Sequence, residues 1–431
     1  AITRRAAGPP GRAMSRVRRL RLAYFSPLPP ARSGIADYSA ELLPYLARLA
    51  DVTVFGADDG RWTVDDSASS AVRRLSSLTV RPLRYYAPHR RQYDLALYQM
   101  GNSQHHDAIY AHCLRYPGVV VLHDYTLHHA QAHRTAGQGH LSAYVRELGY
   151  SYGTAGLRLA YRIQAGQQPM PLFDLPLNER LLHTNLGFIV HSHYVAERIR
   201  PQIGRRPLAV IPQIMTPATS AAPSRQTLRG WPTHWPEQAV VLASAGQVTP
   251  ARCLDEVLAA FKQVCADWPV YYLIIGDTGT EVDVTRLVAD LGLTQRVHCT
   301  GYLPNLADFS HWLAAADIVV NLRHPTAGET SAVALRAMAA GKPVVVYDHG
   351  WYAELPDETC YKVPPLDRPA LIAALSRLAA DDSERKQVGE TAVAYISHHC
   401  HPNSVARHYL TLLHQVMSFS NPQTLPPNPH A

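Results

Sequence analysis

Cysteine is scarce in this sequence, six in 431 residues. Cys113, Cys253, Cys265, Cys299, Cys360 and Cys400 are scattered, and no pair has the short spacing of a zinc site or a redox motif. A disulfide scaffold and a zinc ribbon are therefore excluded, and buried free thiols are expected. Long apolar runs are missing too: none reaches the ~18 residues that a membrane-spanning helix requires. Charged residues make up only 17% against 47% hydrophobic, a balance that excludes a wholly disordered chain and leaves an ordinary folded one. Acid is absent from the first 21 residues, which carry Arg4, Arg5, Arg12, Arg16, Arg18, Arg19 and Arg21. Of 41 basic and 34 acidic residues, 34 of each sign remain after those seven, so the formal charge of +7 belongs to one end and the body is neutral. A basic end without interleaved aromatics argues against a nucleic-acid partner. It reads as a solvated tail, with contact to anionic lipid as the alternative. The first dozen residues precede Met14, read as sequence ahead of the natural start, and lack the apolar core of a signal peptide. The expected location is cytoplasmic.

What is present is a regular alternation of short apolar runs and amphipathic stretches. LRLAYF at Leu20, VTVF at Val52, DLALYQM at Asp94, VVVLHD at Val119, GFIVHS at Gly187 and LAVIP at Leu208 are continuously hydrophobic, which suits parallel strands covered on both faces. A second series follows: VVLASAG at Val240, VYYLIIG at Val270, RVHCTG at Arg296, DIVVNLR at Asp317 and PVVVYD at Pro343. In the helix after the first of these, Leu254, Val257, Leu258, Phe261 and Val264 recur at helical spacing. Between the two series, Gln213 to Gln238 is broken by proline and small polar residues and marks the domain boundary. The expected organisation is a basic tail (1–19), a first doubly wound α/β domain (20–212), a linker (213–238) and a second one (239–400). A helix (401–418), free to cross back to the first domain, and a flexible tail (419–431) complete it. Tandem domains of this class place the loops at their strand ends on either side of a cleft, where ligands bind.

HPTAGETSAVALRAMAAGKPVVV, from His324 to Val346, is the most informative stretch. Strand, Gly-Glu-Thr-Ser turn, helix and strand follow one another, and Thr330 or Ser331 can cap the helix with its first amides aimed into the cleft. A diphosphate suits such a terminus; a plain structural cap is the alternative. The other concentration of chemistry is histidine: His105, His106, His112, His123, His128, His129, His133 and His140, with Asp124 beside His123. His129 and His133, four apart, permit a divalent metal. No HExxH accompanies them, and substrate contact by His123 or structural histidines are the other readings.

The order of these elements, with AMAAGKPVVV, resembles the retaining nucleotide-sugar-dependent glycosyltransferases of the GT-B fold, the group that includes sucrose synthase and bacterial mannosyltransferases. FSPLPPARSGIADYSAELLPYL, VVLHDYTLHH, FIVHSHYV, AGQVTPARCLDEVLAAF, TGYLPNLADFSHWLAAADIVVNL and HGWYAELP fall in that group's order, so the resemblance covers most of the chain. It implies a GT-B fold of two Rossmann-like domains. It implies donor or acceptor contact at Ser33 and Gly34, and donor contact at Gly246, Gln247, Arg252, Tyr302, Leu303, Thr330, Ser331 and Glu354. It also puts His123 against the reacting sugar. Two positions depart from the pattern. Where the group usually presents Arg and Lys to the diphosphate, this chain has Gln247 and Arg252. Where it carries Glu, seven residues, Glu, this chain has Gly328 and Arg336, with Glu329 one residue late in the sugar pocket; Arg336 is open to a salt bridge, a phosphate contact or lost catalysis.

A strict Asp-x-Asp, the usual metal anchor of the other large glycosyltransferase fold, is absent. The expected activity is transfer of a sugar from a UDP- or GDP-sugar to an acceptor hydroxyl with retention, without a metal or other cofactor. A carbohydrate, lipid or small molecule is the acceptor, with peripheral membrane contact open. Arg252 and the helix beginning near Ser331 would stabilise the departing diphosphate. The rivals are a nucleotide-binding scaffold that has lost turnover and a metal-dependent hydrolase built on the histidines.

Overall fold

The computed structural model describes residues 18–56, 75–216 and 224–420. Arg4, Arg5, Arg12 and Arg16, the middle of the linker and the tail from 421 onward lie outside the described residues.

Two parallel sheets form the frame. The first holds β1 (Arg21–Phe25), β2 (Asp51–Gly56), β3 (Thr79–Pro82), β4 (Leu95–Met100), β5 (Val119–Leu122), β6 (Gly187–Val190) and β7 (Leu208–Val210), in the order 3-2-1-4-5-6-7. The second holds β8 (Val240–Ala245), β9 (Val270–Ile275), β10 (Val297–Cys299), β11 (Ile318–Val320), β12 (Val344–Tyr347) and β13 (Tyr361–Val363), in the order 10-9-8-11-12-13. The fold is α/β, as expected. Strands β4, β5 and β6 are buried along their whole length, which is why they read as unbroken apolar runs. The edge strands β3 (TVRP) and β13 (YKV) are only partly covered and carry a charge each, so they give no such run. In each sheet the strand order reverses beside its first strand, between β1 and β4 and between β8 and β11. Ligands of open α/β sheets bind outside the carboxyl ends at such switch points.

Five helices position the site: α1 (Gly34–Leu46), α2 (His193–Ile203), α3 (Leu254–Asp267), α4 (Ala332–Ala339) and α5 (Pro402–Ser420). The apolar stripe of α3 is the one read from spacing, and Val257, Leu258, Phe261 and Val264 are buried in the second core. Helix α5 follows the second domain but packs on the first: Val405, Tyr409, Leu412, Leu413 and Val416 join the core around β1 and α1, and the Tyr38 and Tyr409 hydroxyls bond at 2.5 Å. In the linker region, Trp235 is buried in the second core, with Leu228 and Trp231 against it, and Arg225 pairs with Asp317 at 2.6 Å. The two domains also bond directly. The Thr126 amide donates to the Ala327 carbonyl at 2.8 Å. Glu354 accepts from the His193 and Tyr194 amides at 2.9 and 2.5 Å, an anion at the N-terminus of α2.

Candidate active site in the interdomain cleft

The carboxyl ends of the two sheets enclose a cleft of about 850 Å3. The second domain lines it with Gln247 and Thr249–Ala251 after β8, and with Arg323, Ala327, Glu329, Thr330, Ala332 and Arg336 after β11. The first domain contributes Arg32–Ile35, Tyr38 and Glu41 after β1, Asn102–His105 after β4, and His123 and Asp124 after β5.

The β11–α4 turn is built around Asn321. Its Oδ1 accepts from the Ser331 hydroxyl at 2.7 Å and from the Tyr352 hydroxyl at 2.6 Å. Ser331 caps α4 by accepting from the Ala334 amide at 3.2 Å, so its side chain is spent on the helix and does not line the cleft. Ala332, first residue of α4, does line it, and the opening amides of a helix have no partner within it. Beside it the Thr330 hydroxyl is buried without a hydrogen-bond partner. An orphaned polar atom at a cleft wall calls for an explanation, and a ligand supplies one.

Glu329 is held from three sides. Oε1 pairs with Arg323 at 2.8 Å, while Oε2 accepts from the Thr326 hydroxyl at 3.0 Å and the Ala327 amide at 2.8 Å. Burial opposes a charge on Arg323, but Glu329, Tyr352 and Asp124 hold its pKa above the usual arginine value. Gly328 precedes this carboxylate at φ +80°, and a Cβ there would stand 2.5 Å from Tyr125 Cβ of the first domain. Backbone conformation and contact together bar an acid from position 328, a physical reason for the one-residue displacement to Glu329.

Arg336 reaches across the cleft. Its Nη1 and Nη2 donate to Glu41 Oε1 and Oε2 at 2.9 and 3.0 Å, a bidentate pair with side chains 13% and 10% exposed. Asp37, one turn earlier on α1, is pushed up to about 6 by burial, against the pull of Arg336. The position thus holds an interdomain salt bridge.

Arg252 lies elsewhere. Its Nη1 donates to the Ala245 carbonyl at 2.7 Å, its Nε is buried without a hydrogen-bond partner, and burial pulls its pKa down to about 9. With Gly246 it lines a small void behind the β8 loop and not the cleft. Gly246 has φ +94°, and a Cβ there would come 2.8 Å from Arg252 Nη2, so the glycine makes room for the guanidinium. The guanidinium on the second-domain wall where α4 begins is Arg323. Tyr302 is 42% exposed beneath Arg32, whose Cζ is 4.1 Å from the ring centre, and Leu303 packs against the second core. Glu354 serves the domain contact described above. Ser33 caps α1 through the Ile35 amide at 3.3 Å, and Gly34 leaves open space where a Cβ would stand; both line the cleft.

The histidines divide. His123 lines the cleft, with Nε2 2.7 Å from Gln99 Oε1 and its ring edge-on to Tyr38. Burial, then His191 and His106, hold its pKa well below the ordinary value, so the ring is neutral; with Nε2–H donating to Gln99, Nδ1 is an acceptor. Asp124 is pushed up to about 7 by burial and by Glu329 opposite. His105, His129 and His133 also line the cleft, whereas His128 is buried between the Leu175 carbonyl and the Tyr144 hydroxyl. Among the described residues no three His, Cys, Asp or Glu side chains group so as to hold a metal ion.

Arg323, Glu41 and Arg32 escaped the motif reading. Arg323 ends the segment DIVVNLR and carried the signal of a polar residue just past a strand at the switch point. Glu41 carried none, because its partner lies 295 residues away.

Residues 239–381 match the family model described as Glycosyl transferases group 1. A stretch of 108 residues is 34% identical to a 2-deoxystreptamine glucosyltransferase of Streptomyces kanamyceticus, covering 25% of this chain and 26% of that protein. The chain thus spans only about a quarter of that curated relative's length. Two solved structures share the whole architecture. Sucrose-phosphate synthase from Thermosynechococcus elongatus superposes with a TM-score of 0.65 at 18% identity, over 93% of this chain and 100% of that one. HepE of Anabaena, in complex with UDP and glucose, gives 0.60 at 18% identity over 92% and 100%. The chain therefore has the GT-B fold, and its second domain is similar to the glycosyl transferases group 1 family.

Proposed function

We propose that this protein transfers a sugar from a nucleotide-diphosphate sugar, a UDP-sugar first among the candidates, to an acceptor hydroxyl with retention and without a metal ion. The observation that carries the reading is the second-domain wall of the cleft, which Ala332 at the opening of α4, Thr330 with its orphaned hydroxyl, and Arg323 all line. Amides, hydroxyl and guanidinium are the donors a diphosphate requires. HepE, which has the same fold, was solved in complex with UDP and glucose, which supports that choice of donor.

In the proposed reaction the bond between the sugar C1 and the diphosphate oxygen breaks, and its electron pair leaves with the nucleoside diphosphate. Arg323, Thr330 and the α4 amides stabilise the charge that develops on that oxygen. The acceptor oxygen forms its new bond to C1 from the same face, and its proton passes to the departing phosphate. Glu329, fixed by Arg323, Thr326 and the Ala327 amide, and neutral His123 face the sugar from opposite domains as hydroxyl-binding groups. Closure of the domains excludes water and limits hydrolysis of the donor.

Incubation with a panel of UDP- and GDP-sugars in the presence of EDTA, followed by NMR of the anomeric proton, tests each part. Transfer or slow donor hydrolysis with the donor's configuration preserved is expected. An inverted product, or activity that vanishes with EDTA and returns with a divalent ion, refutes the retaining metal-free reading.

A further inference from the structure

A second cavity, of about 640 Å3, adjoins the cleft on the first-domain side and shares Gln104 and His105 with it. It sits over the carboxyl ends of β1, β2 and β3, and its walls are mainly aliphatic: Pro27, Leu28, Pro29, Pro30, Pro82 and Leu83. Asp107 lines it as well, and the Asp107 carboxylate bonds His133 Nδ1 at 3.2 Å, while His133 lines the cleft. Gln104, His105 and Asp107 thus put polar groups between the two spaces. The one basic side chain of the described lining, apart from His105, is Arg81, whose guanidinium lies over the Tyr85 ring. No Phe, Tyr or Trp side chain is among the described residues of the lining.

These walls discriminate between ligands. A pyranose ring needs hydrogen-bonding partners for each hydroxyl and gains from an aromatic face beneath its C–H groups. Pyrrolidine rings and leucines offer neither, but they favour a methylene-rich body at about 0.8 kcal/mol for each buried CH2. The volume falls in the range of small-molecule sites.

We propose that this cavity takes the apolar body of the acceptor, an alkyl-bearing amphiphile, whose polar hydroxyl end passes Gln104 and His105 into the cleft. That the hydroxyl is the one glycosylated rests on the proposed transfer reaction; the binding of the apolar body does not.

The test is a calorimetric titration of the full chain with methyl, hexyl, heptyl and octyl β-D-glucoside below their micellar concentrations, alongside UDP. Affinity is expected to climb about three- to fourfold with each added methylene from hexyl to octyl, the fold-change that ~0.8 kcal/mol per CH2 implies. Gly56 lines the cavity, and among the described residues its Cβ would meet nothing within 4 Å, so Gly56→Phe places a ring in the space. That variant is expected to lose at least tenfold in octyl glucoside affinity while UDP binding is unchanged. Equal affinity along the alkyl series, or an octyl glucoside affinity that Gly56→Phe leaves intact, overturns the proposal. Should Gly56→Phe not fold, the alkyl series on the unaltered protein decides alone. Chain-length-dependent glucoside binding in a protein that ignores UDP would sink the transfer reading and leave this cavity's assignment standing.

Discussion

Removing Arg336 should loosen the two domains from each other. The guanidinium makes two charge-assisted bonds to Glu41 at 2.9 and 3.0 Å, and neither side chain is more than 13% exposed. Screening by solvent is therefore slight, and Arg336→Ala leaves Glu41 in the cleft, with Asp37 one turn away on α1, without a compensating cation. Breaking one side of a buried pair typically costs about 3–5 kcal/mol, most of it the penalty on the partner left behind. Asp37 softens that loss, because its pKa is already pushed up to about 6 and rises further without the cation. About 2–4 kcal/mol is the figure to expect. Replacing both partners by Arg336→Met and Glu41→Leu should recover most of it, since an apolar pair pays no such penalty. The pair joins different domains, so calorimetry should resolve the single variant's unfolding into two separated transitions, with the unaltered protein's lying closer together. A double-mutant cycle gives the coupling energy directly. Additive effects, with each single variant within about 0.5 kcal/mol of the parent, would refute the reasoning.

Two further outcomes follow from the site. Thr330→Val removes a buried hydroxyl that has no partner, so chemical denaturation should find the variant equal or more stable by up to about 1 kcal/mol, while UDP affinity falls; lost stability with unchanged affinity contradicts the role given to Thr330. His106, His128 and His191 are each pulled down to about 4, chiefly by burial. Their folded pKa values lie below the unfolded one, so the unfolded chain binds the extra protons and stability falls with pH from about 6.5 towards 4. The loss is about 1.5 kcal/mol per histidine between pH 6.5 and 5. Asp124 and Asp37, raised to about 7 and about 6, shift stability the opposite way over the same range. Urea unfolding of His191→Gln should show a shallower pH dependence than the parent; an unchanged slope contradicts the assignment.

Much of this molecule was legible before its coordinates. Buried parallel strands announce themselves as unbroken apolar runs, and LALYQM and VVVL needed only that signal to be placed. The edges TVRP and YKV were missed because a half-covered strand has no reason to be apolar. In the site, local chemistry carried over: a serine before a helix is a cap wherever it occurs, and Ser331 caps α4. Side-chain direction did not. Arg252 follows Gly246 in a loop that could aim it either way, and only the packing behind the loop turns it inward. Arg336 looked like an unexplained departure because its partner is nearly 300 residues distant, on the helix that opens the other domain. Glu329 was found one place from its expected position for a reason written in Tyr125, which presses on Gly328 and forbids a side chain there.

The most direct test of the account is a UDP titration of the unaltered protein and of Arg323→Ala, by calorimetry, with EDTA present. Saturable binding that weakens at least tenfold in the variant is the predicted result. Failure of the unaltered protein to bind UDP, or equal affinity in both proteins, would contradict the assignment of this cleft wall to the diphosphate of a UDP-sugar.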